Sequence, residues 1–384
     1  MHIALNAWFW NRPDTGSGQY VRQLAAALAE QGDLSLTLIA PQEEPIDAPP
    51  GVTAHSVRLS TGGQRGKLAF EQRWFPRAAA EVGADLIHVP YWAAPLSSPL
   101  PLVVTVHDLI PMLLAEYRGG LRGRLYTALV AASTGGAGAV ITDSQASRAD
   151  IIRYLRIPAE RVHVVPLAAG VKYHPRPGSL LDVGIRQKYN LPSEYLLYLG
   201  GYDVRKNVHT LLKAFTYVQD GTGDQFPLVL AGRLPEKRSP RFLDMAHYIE
   251  LMGVGENVRL IGEVDETDKP ALYRMARAFV FPSRYEGFGL PVLEAMSCGT
   301  PVVAANTSSL PEIVGEAGFL VDPDDARHMA GAILSLLVQD DLHAEMREKA
   351  LARAAAFTWP QTAAATRAIY ERVLMERPPT PSAH

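Results

Sequence analysis

The chain of 384 residues holds a single cysteine, Cys298, so no intrachain disulfide can form, which fits a reducing compartment. Cys298 closes the apolar run Val292-Leu-Glu-Ala-Met-Ser-Cys298, with no histidine nearby in sequence, and reads as a buried structural thiol. No uninterrupted apolar run reaches the roughly 18–20 residues of a membrane span. The start, Met1-His-Ile-Ala-Leu-Asn-Ala-Trp8, lacks the basic and long apolar regions of a signal peptide. No fixed-period repeat or low-complexity block occurs. No charge of one sign dominates: 37 Lys and Arg against 40 Asp and Glu leave a net charge of −3, which removes any global pull toward nucleic acid. No His/Cys cluster has metal-ligand spacing, so no metal or other cofactor is expected. These absences read as a cytoplasmic enzyme or binding protein, with the inner face of a membrane left open as its place of work.

What is present is an ordinary globular composition, 47% hydrophobic and 20% charged, at a length suited to two domains. Short apolar runs alternate with helical patterns. Strands are predicted at His2–Ala7, Leu34–Ala40, Thr53–Leu59, Asp85–Pro90, Leu102–Val106, Ala139–Thr142 and Val162–Leu167. The pattern restarts with Tyr195–Leu199, Pro227–Ala231, Val258–Ile261, Ala278–Pro282, Pro301–Ala304 and Gly318–Val321. Near-continuous apolar strands suit parallel sheets buried on both faces. The expected fold is α/β, with a Rossmann-like first domain at 1–170, an interdomain linker at 171–192 rich in proline (Pro175, Pro177, Pro192), and a second Rossmann-like domain at 193–357. Pro360 should break the helical pattern after Phe357, leaving a terminal helix at 360–376 able to return to the first domain. The tail Glu376-Arg-Pro-Pro-Thr-Pro-Ser-Ala-His384 is expected to fray. Open α/β sheets bind ligands at the carboxyl ends of their strands, so a cleft between facing domains is the expected site.

The segment Ser283-Arg-Tyr-Glu-Gly-Phe-Gly-Leu-Pro-Val-Leu-Glu294 is the most informative. It joins a predicted strand to a predicted helix and sets Glu286 and Glu294 eight positions apart. Pro291 fits the first helical turn, and the amides of Gly287, Phe288, Gly289 and Leu290 lie where a helix mouth suits a phosphate. Ionised carboxylates accept hydroxyl donors, so the pair suits a sugar and a ribose. In Leu199-Gly-Gly-Tyr-Asp-Val-Arg-Lys-Asn207, Arg205 and Lys206 stand just before a helix start. Positive charge there opposes the helix dipole and wants an anion such as a diphosphate.

In the first half, Thr15-Gly-Ser-Gly-Gln-Tyr20 places Gly16 and Gly18 between strand and helix, a weaker signal that lacks the full dinucleotide fingerprint and disfavours a dehydrogenase. Val104-Thr-Val-His-Asp108 puts His107 at a strand end, with Asp108 read as a cap that also orients the ring. Asp322-Pro-Asp324 lies before a helix starting near Asp325 and reads as capping. The strip Arg65, Lys67, Arg73 and Arg77 with Phe70, Trp74 and Phe75 reads as a packed helix with a solvated basic face in preference to a membrane surface.

The Glu286–Glu294 segment resembles the E-x7-E signature of family 4 retaining glycosyltransferases of the GT-B fold. The likeness continues through Ala295-Met-Ser-Cys-Gly-Thr-Pro-Val-Val303 and Ser309-Leu-Pro-Glu-Ile-Val-Gly315. It implies that Glu286 meets the donor sugar, Glu294 the ribose, and Gly287–Leu290 the phosphate and sugar. Arg205-Lys206-Asn207 resembles the mannosyltransferase-like branch, although Gly201 stands where many relatives have an arginine. Val165-Pro-Leu-Ala-Ala-Gly-Val171 also departs from the Asn-Gly that relatives commonly have after the proline. Gly16, Gly18 and His107 fall where the family's first domain approaches the donor. The implied reaction is retaining hexosyl transfer without a metal, GDP-mannose being favoured over UDP- or ADP-sugars. The acceptor would be a saccharide or lipid-linked hydroxyl in polysaccharide or glycolipid synthesis, with peripheral membrane contact left open. A nucleotide-sugar epimerase or hydrolase of the same fold, or a non-catalytic nucleotide-sugar-binding subunit, are the alternatives.

Overall fold

The computed structural model describes residues 1–41, 46–59, 62–176, 178–235, 239 and 241–376; Pro177 and the tail beyond Glu376 lie outside these. Contacts divide the chain into two compact units, Met1–Leu167 joined by the terminal segment from Thr358, and Ala168–Phe357.

The first unit carries β1 (His2–Asn6), β2 (Ser35–Pro41), β3 (Val52–Val57), β4 (Leu86–Val89), β5 (Leu102–Thr105), β6 (Ala139–Thr142) and β7 (Val162–Val164). They form one parallel sheet in the order β3-β2-β1-β4-β5-β6-β7. The second unit carries β8 (Leu196–Leu199), β9 (Leu228–Ala231), β10 (Val258–Gly262), β11 (Ala278–Phe281), β12 (Val302–Ala305) and β13 (Phe319–Val321), a parallel sheet in the order β10-β9-β8-β11-β12-β13. The apolar runs become the inner strands: every residue of β4, β5, β6, β8, β9, β11 and β12 is buried, because helices cover both sheet faces. The edge strands β3 and β10 carry exposed positions instead. The strand expected to run to Leu167 stops at Val164, two residues before Pro166, which has no N–H to pair.

Strand order reverses direction beside β1 and β4 in the first sheet and beside β8 and β11 in the second. Such switch points open a crevice at the carboxyl ends of the strands, because the flanking connections leave in opposite directions. The Arg205-Lys206 loop leaves β8 and the Glu286 loop leaves β11, so strand order alone makes neighbours of two motifs far apart in sequence.

The span 171–192 contains a helix, Ser179–Lys188, which packs against the helix Lys269–Met275 of the second unit. Arg274 and Asp182 form an ion pair at 2.5 Å in that contact. Pro360 begins a new helix, Trp359–Met375: it sits in the first turn, and the Thr358 side chain accepts from the Gln361 amide. This helix packs on the helix Gly16–Ala29 of the first unit. Thr362 Oγ1 donates to the Pro166 carbonyl at 2.7 Å, and Arg367 clasps Asp33 with both ends of its guanidinium.

The basic strip lies on a continuous helical stretch whose middle, Phe70–Trp74, has π-type bonding. Phe70 and Phe75 are fully buried, and the exposed Arg73 and Arg77 stack on Trp74. The capping expected of Asp322-Pro-Asp324 falls to the next residue: Asp325 caps the helix Ala326–Val338 by accepting from the Arg327 and His328 amides, while Asp322 Oδ1 accepts from the Asp324 amide and Asp324 pairs with Arg284 at 2.6 Å. Cys298 is fully buried, and burial pushes its thiol up to about 12, which leaves it unreactive.

Candidate active site

The exits of β8 and β11 are locked together by backbone and side-chain bonds. Asn207 adopts the left-handed conformation (φ 58°) and is fully buried. Its amide nitrogen donates to the Pro282 carbonyl after β11 and the Pro323 carbonyl after β13. The Arg284 amide donates to the Arg205 carbonyl at 2.9 Å. Asn207 is therefore a brace, and Arg205 and Lys206 are the groups it presents.

Both cations meet one carboxylate. Lys206 Nζ donates to Glu286 Oε1 at 2.6 Å, Arg205 Nη1 lies 2.7 Å from the same oxygen, and Ser283 Oγ donates to it at 2.5 Å. Burial alone would raise the Glu286 pKa, but the Lys206 and Arg205 charges and the hydrogen bonds outweigh it and hold the carboxyl down to about 2. Burial pulls the Lys206 pKa below that of an ordinary lysine, with Glu286 opposing. Lys206 also lies 4.7 Å from the centroid of the Phe281 ring. Asp203 Oδ1 lies 3.6 Å from Arg205 Nε, so two cations and two carboxylates meet at the strand-end crevice, and the guanidinium and ammonium groups are the ones there that suit a diphosphate.

The turn after Glu286 is held from the next loop. Ser308 Oγ donates to the Glu286 carbonyl at 2.5 Å, and Ser309 Oγ donates to the carbonyls of Glu286 and Phe288 at 3.0 and 2.6 Å. These serines were not read as site residues, because their role depends on β12 lying beside β11. Gly289 has φ +117°, and a Cβ there would meet Leu310 Cδ2 at 2.8 Å, so the turn requires glycine. The helix Leu290–Ser297 follows, with Pro291 in its first turn. The Phe288 side chain is buried and packs edge-on to Phe357, so Phe288 offers a ligand only its backbone.

Glu294 differs from Glu286. It is buried and accepts a hydrogen bond from Tyr273 Oη at 3.1 Å. Burial pushes its pKa up to about 7, with Lys269 opposing. The acceptor-only state expected for both glutamates thus holds at neutral pH for Glu286, while Glu294 is poised between its two forms. A carboxyl whose folded pKa lies above its ordinary value keeps extra protons when folded, so stability falls as pH rises from about 4.5 toward 7. Glu294→Gln should melt close to wild type near pH 5 and above it at pH 8, with a difference of up to about 3 kcal/mol. Parallel melting curves at both pH values would contradict the shift.

In the first unit, Gly16 and Gly18 differ in the same way. A Cβ on Gly18 would sit 1.9 Å from the Arg12 carbonyl oxygen, so glycine is required there by the turn itself. A Cβ on Gly16 would meet nothing within 4 Å, and the residue is exposed, so packing does not require glycine at that position. Thr15 caps the helix Gly16–Ala29 by accepting from the Gly18 amide.

His107 follows β5. Its Nδ1 lies 2.7 Å from Asp143 Oδ2, and its Nε2 lies 3.3 Å from the Pro90 carbonyl oxygen. The orienting carboxylate is therefore Asp143, at the exit of β6, and not Asp108, whose Oδ1 accepts from the Ile110 amide as a local cap. Burial opposes charge on the ring, but Asp143 and its hydrogen bond raise the His107 pKa above that of an ordinary histidine. The edge of Tyr20 packs on the imidazole at 4.8 Å. A buried network holds Tyr20 in turn: its hydroxyl lies 3.2 Å from Thr105 Oγ1, which lies 2.8 Å from His88 Nε2, whose Nδ1 lies 2.6 Å from Tyr370 Oη in the terminal helix. Burial drives the His88 pKa down to about 3, so that ring is neutral. Asp143→Asn should let His107 titrate at lower pH by NMR and reduce turnover about tenfold or more. An unmoved titration would remove Asp143 as its orienter.

Among the described residues no three His, Cys, Asp or Glu side chains are grouped to hold a metal ion, and no helix is long and apolar enough to cross a membrane. Two parallel α/β sheets with these strand-end motifs define the GT-B fold. The second unit matches the glycosyl transferases group 1 model over residues 185–353, and the first matches the glycosyl transferase 4-like domain over residues 15–168. The chain belongs to the group 1 glycosyl transferase family. It is 39% identical to O-antigen chain mannosyltransferase B of Escherichia coli over 67% of this chain and 66% of that protein. Sucrose-phosphate synthase of Thermosynechococcus elongatus superposes with a TM-score of 0.77 at 25% identity, covering 98% of this chain and 100% of that one. HepE of Anabaena, solved in complex with UDP and glucose, has a TM-score of 0.74 at 20% identity, covering 97% and 100%.

Proposed function

We propose that this protein transfers mannose from GDP-mannose to a hydroxyl of a saccharide or lipid-linked acceptor, retaining the anomeric configuration and needing no metal ion. The observation that carries the proposal is the Arg205–Lys206–Glu286 cluster at the switch point of the second sheet. The mannosyltransferase likeness supports the sugar, and the UDP-bound neighbour supports a nucleotide-sugar donor.

Arg205 and Lys206 meet the diphosphate and stabilise the charge that grows on it as the glycosidic bond lengthens. The N-terminus of the helix Leu290–Ser297 adds its dipole to the same phosphates. Fixed protein cations perform the charge stabilisation for which other transferases use a divalent ion. Glu286, ionised at neutral pH, accepts hydroxyls of the transferred sugar. A carboxylate held near pKa 2 is a poor base, so the acceptor's proton passes to the leaving phosphate oxygen on the same face of the sugar. Glu294 accepts the ribose hydroxyls in its ionised form, which ties nucleotide binding to proton release near neutral pH. His107 and the backbone at Gly16 are assigned to the transferred sugar and the phosphates.

The test is a thermal-shift panel of GDP-, UDP- and ADP-sugars, followed by turnover of the stabilising donor with and without EDTA. GDP-mannose should stabilise most, and turnover should survive the chelator. A larger shift with UDP- or ADP-sugars, or loss of turnover restored by Mg²⁺ or Mn²⁺, would overturn the donor or the metal-free assignment respectively.

A further inference from the structure

Four polar side chains cross the core of the first unit in a row that ends against His107. Tyr370 Oη lies 2.6 Å from His88 Nδ1, His88 Nε2 lies 2.8 Å from Thr105 Oγ1, and Thr105 Oγ1 lies 3.2 Å from Tyr20 Oη. Tyr370, His88 and Thr105 are fully buried, and Tyr20 is nearly so. Packing alone does not call for such a row, because apolar side chains of like volume would fill the space without any polar group to satisfy. What the row adds is direction. His88 is neutral, so one ring nitrogen donates and the other accepts, and the bonds on its two sides run in a single sense.

The Tyr20 ring stands perpendicular to the His107 imidazole, with centroids 4.8 Å apart. It also meets the Trp359 ring, at 6.2 Å. Trp359 and Tyr370 both belong to the terminal helix Trp359–Met375, about three helical turns apart and so on one face. That helix therefore reaches Tyr20 twice, by ring contact and through His88 and Thr105. The strands that carry the row also hold the His107 ring. Thr105 ends β5 just before His107, and His88 in β4 lies just before Pro90, whose carbonyl oxygen is 3.3 Å from His107 Nε2.

We propose that Tyr20, Thr105, His88 and Tyr370 are positioning residues for His107, through which the terminal helix sets the angle of the imidazole toward the transferred sugar. This rests on the assignment of His107 to that sugar. Asp143 holds Nδ1 of the ring and Tyr20 holds its plane, so loss of the row should let the ring turn about its bond to Asp143. A misplaced group costs rate more than it costs ground-state binding.

Four substitutions test it in the full chain. Thr105→Val removes the hydroxyl at nearly the same shape, Thr105→Ser keeps it, and Tyr20→Phe and Tyr370→Phe each remove one end of the row. The measurements are the NMR signals of the His107 ring, kcat, KM for the donor and the melting temperature. Thr105→Val, Tyr20→Phe and Tyr370→Phe should each move the His107 signals and lower kcat about tenfold, with KM changed by less than about twofold. Thr105→Ser should match wild type. Tyr20→Phe combined with Tyr370→Phe should be no slower than the slower single variant, because both cut the same row. Lower melting temperatures with His107 signals and kcat unmoved, or losses that multiply in the double variant, would overturn the proposal alone if His107→Ala is inactive. Full turnover in His107→Ala would overturn the assignment of His107 and the proposal with it.

Discussion

Lys206→Ala should lower turnover by about 10²–10³-fold while leaving the fold intact. The ammonium group lies at 2.6 Å from Glu286 and is nearly buried, so it acts in a setting where water screens little. Its contact with the departing phosphate strengthens as negative charge collects there, and a contact made mainly in the transition state appears in turnover more than in ground-state affinity. Glu286 would keep a partner in the variant, because Arg205 Nη1 lies 2.7 Å from the same oxygen. Stability should therefore fall much less than activity. Single-turnover kinetics and calorimetric nucleotide affinity on the same preparation check this; near-normal turnover would remove Lys206 from the reaction.

Glu286→Ala should have the opposite profile in the ligand-free protein. Removing the carboxylate leaves the two charges of Arg205 and Lys206 with only Asp203, 3.6 Å from Arg205 Nε, and breaking a buried ion pair from one side costs about 3–5 kcal/mol. The same change leaves a site whose charge calls for an anion. GDP should then stabilise the variant by a larger thermal shift than it gives wild type, because the diphosphate restores the missing negative charge. Turnover should still be lost by orders of magnitude, since the transferred sugar loses its carboxylate. An equal or smaller GDP shift in the variant would show that the diphosphate does not bind where Glu286 now holds the two cations.

Much of this site was legible because the relevant residues stand at strand ends, and apolar strands announce themselves. The runs that became β8 and β11 placed Arg205, Lys206 and Glu286 in loops at carboxyl ends before any contact was known. That the two loops touch was not legible. Lys206 and Glu286 are 80 residues apart, and only the order β8-β11 brings them together. The same limit hid Asp143, which reaches His107 because β6 lies beside β5, and Ser308 and Ser309, which reach the Glu286 turn because β12 lies beside β11. Asp108, adjacent to His107 in sequence, was the nearer candidate for orienting the ring, but its carboxylate is spent on the Ile110 amide. Protonation was out of reach for a different reason. Glu286 and Glu294 are the same residue type in one short motif, yet one lies against two cations and the other against a buried tyrosine hydroxyl, and their pKa values part to about 2 and about 7.

The central claim is transfer of mannose with retention, and it is tested most directly by the anomeric configuration of the product. The enzyme would be incubated with GDP-mannose and a set of mannose-terminated oligosaccharides, and the new linkage read by proton and carbon NMR. The account predicts GDP and an α-linked mannoside, matching the α configuration of the donor. A β-linked product, or free mannose as the only sugar released, would contradict it.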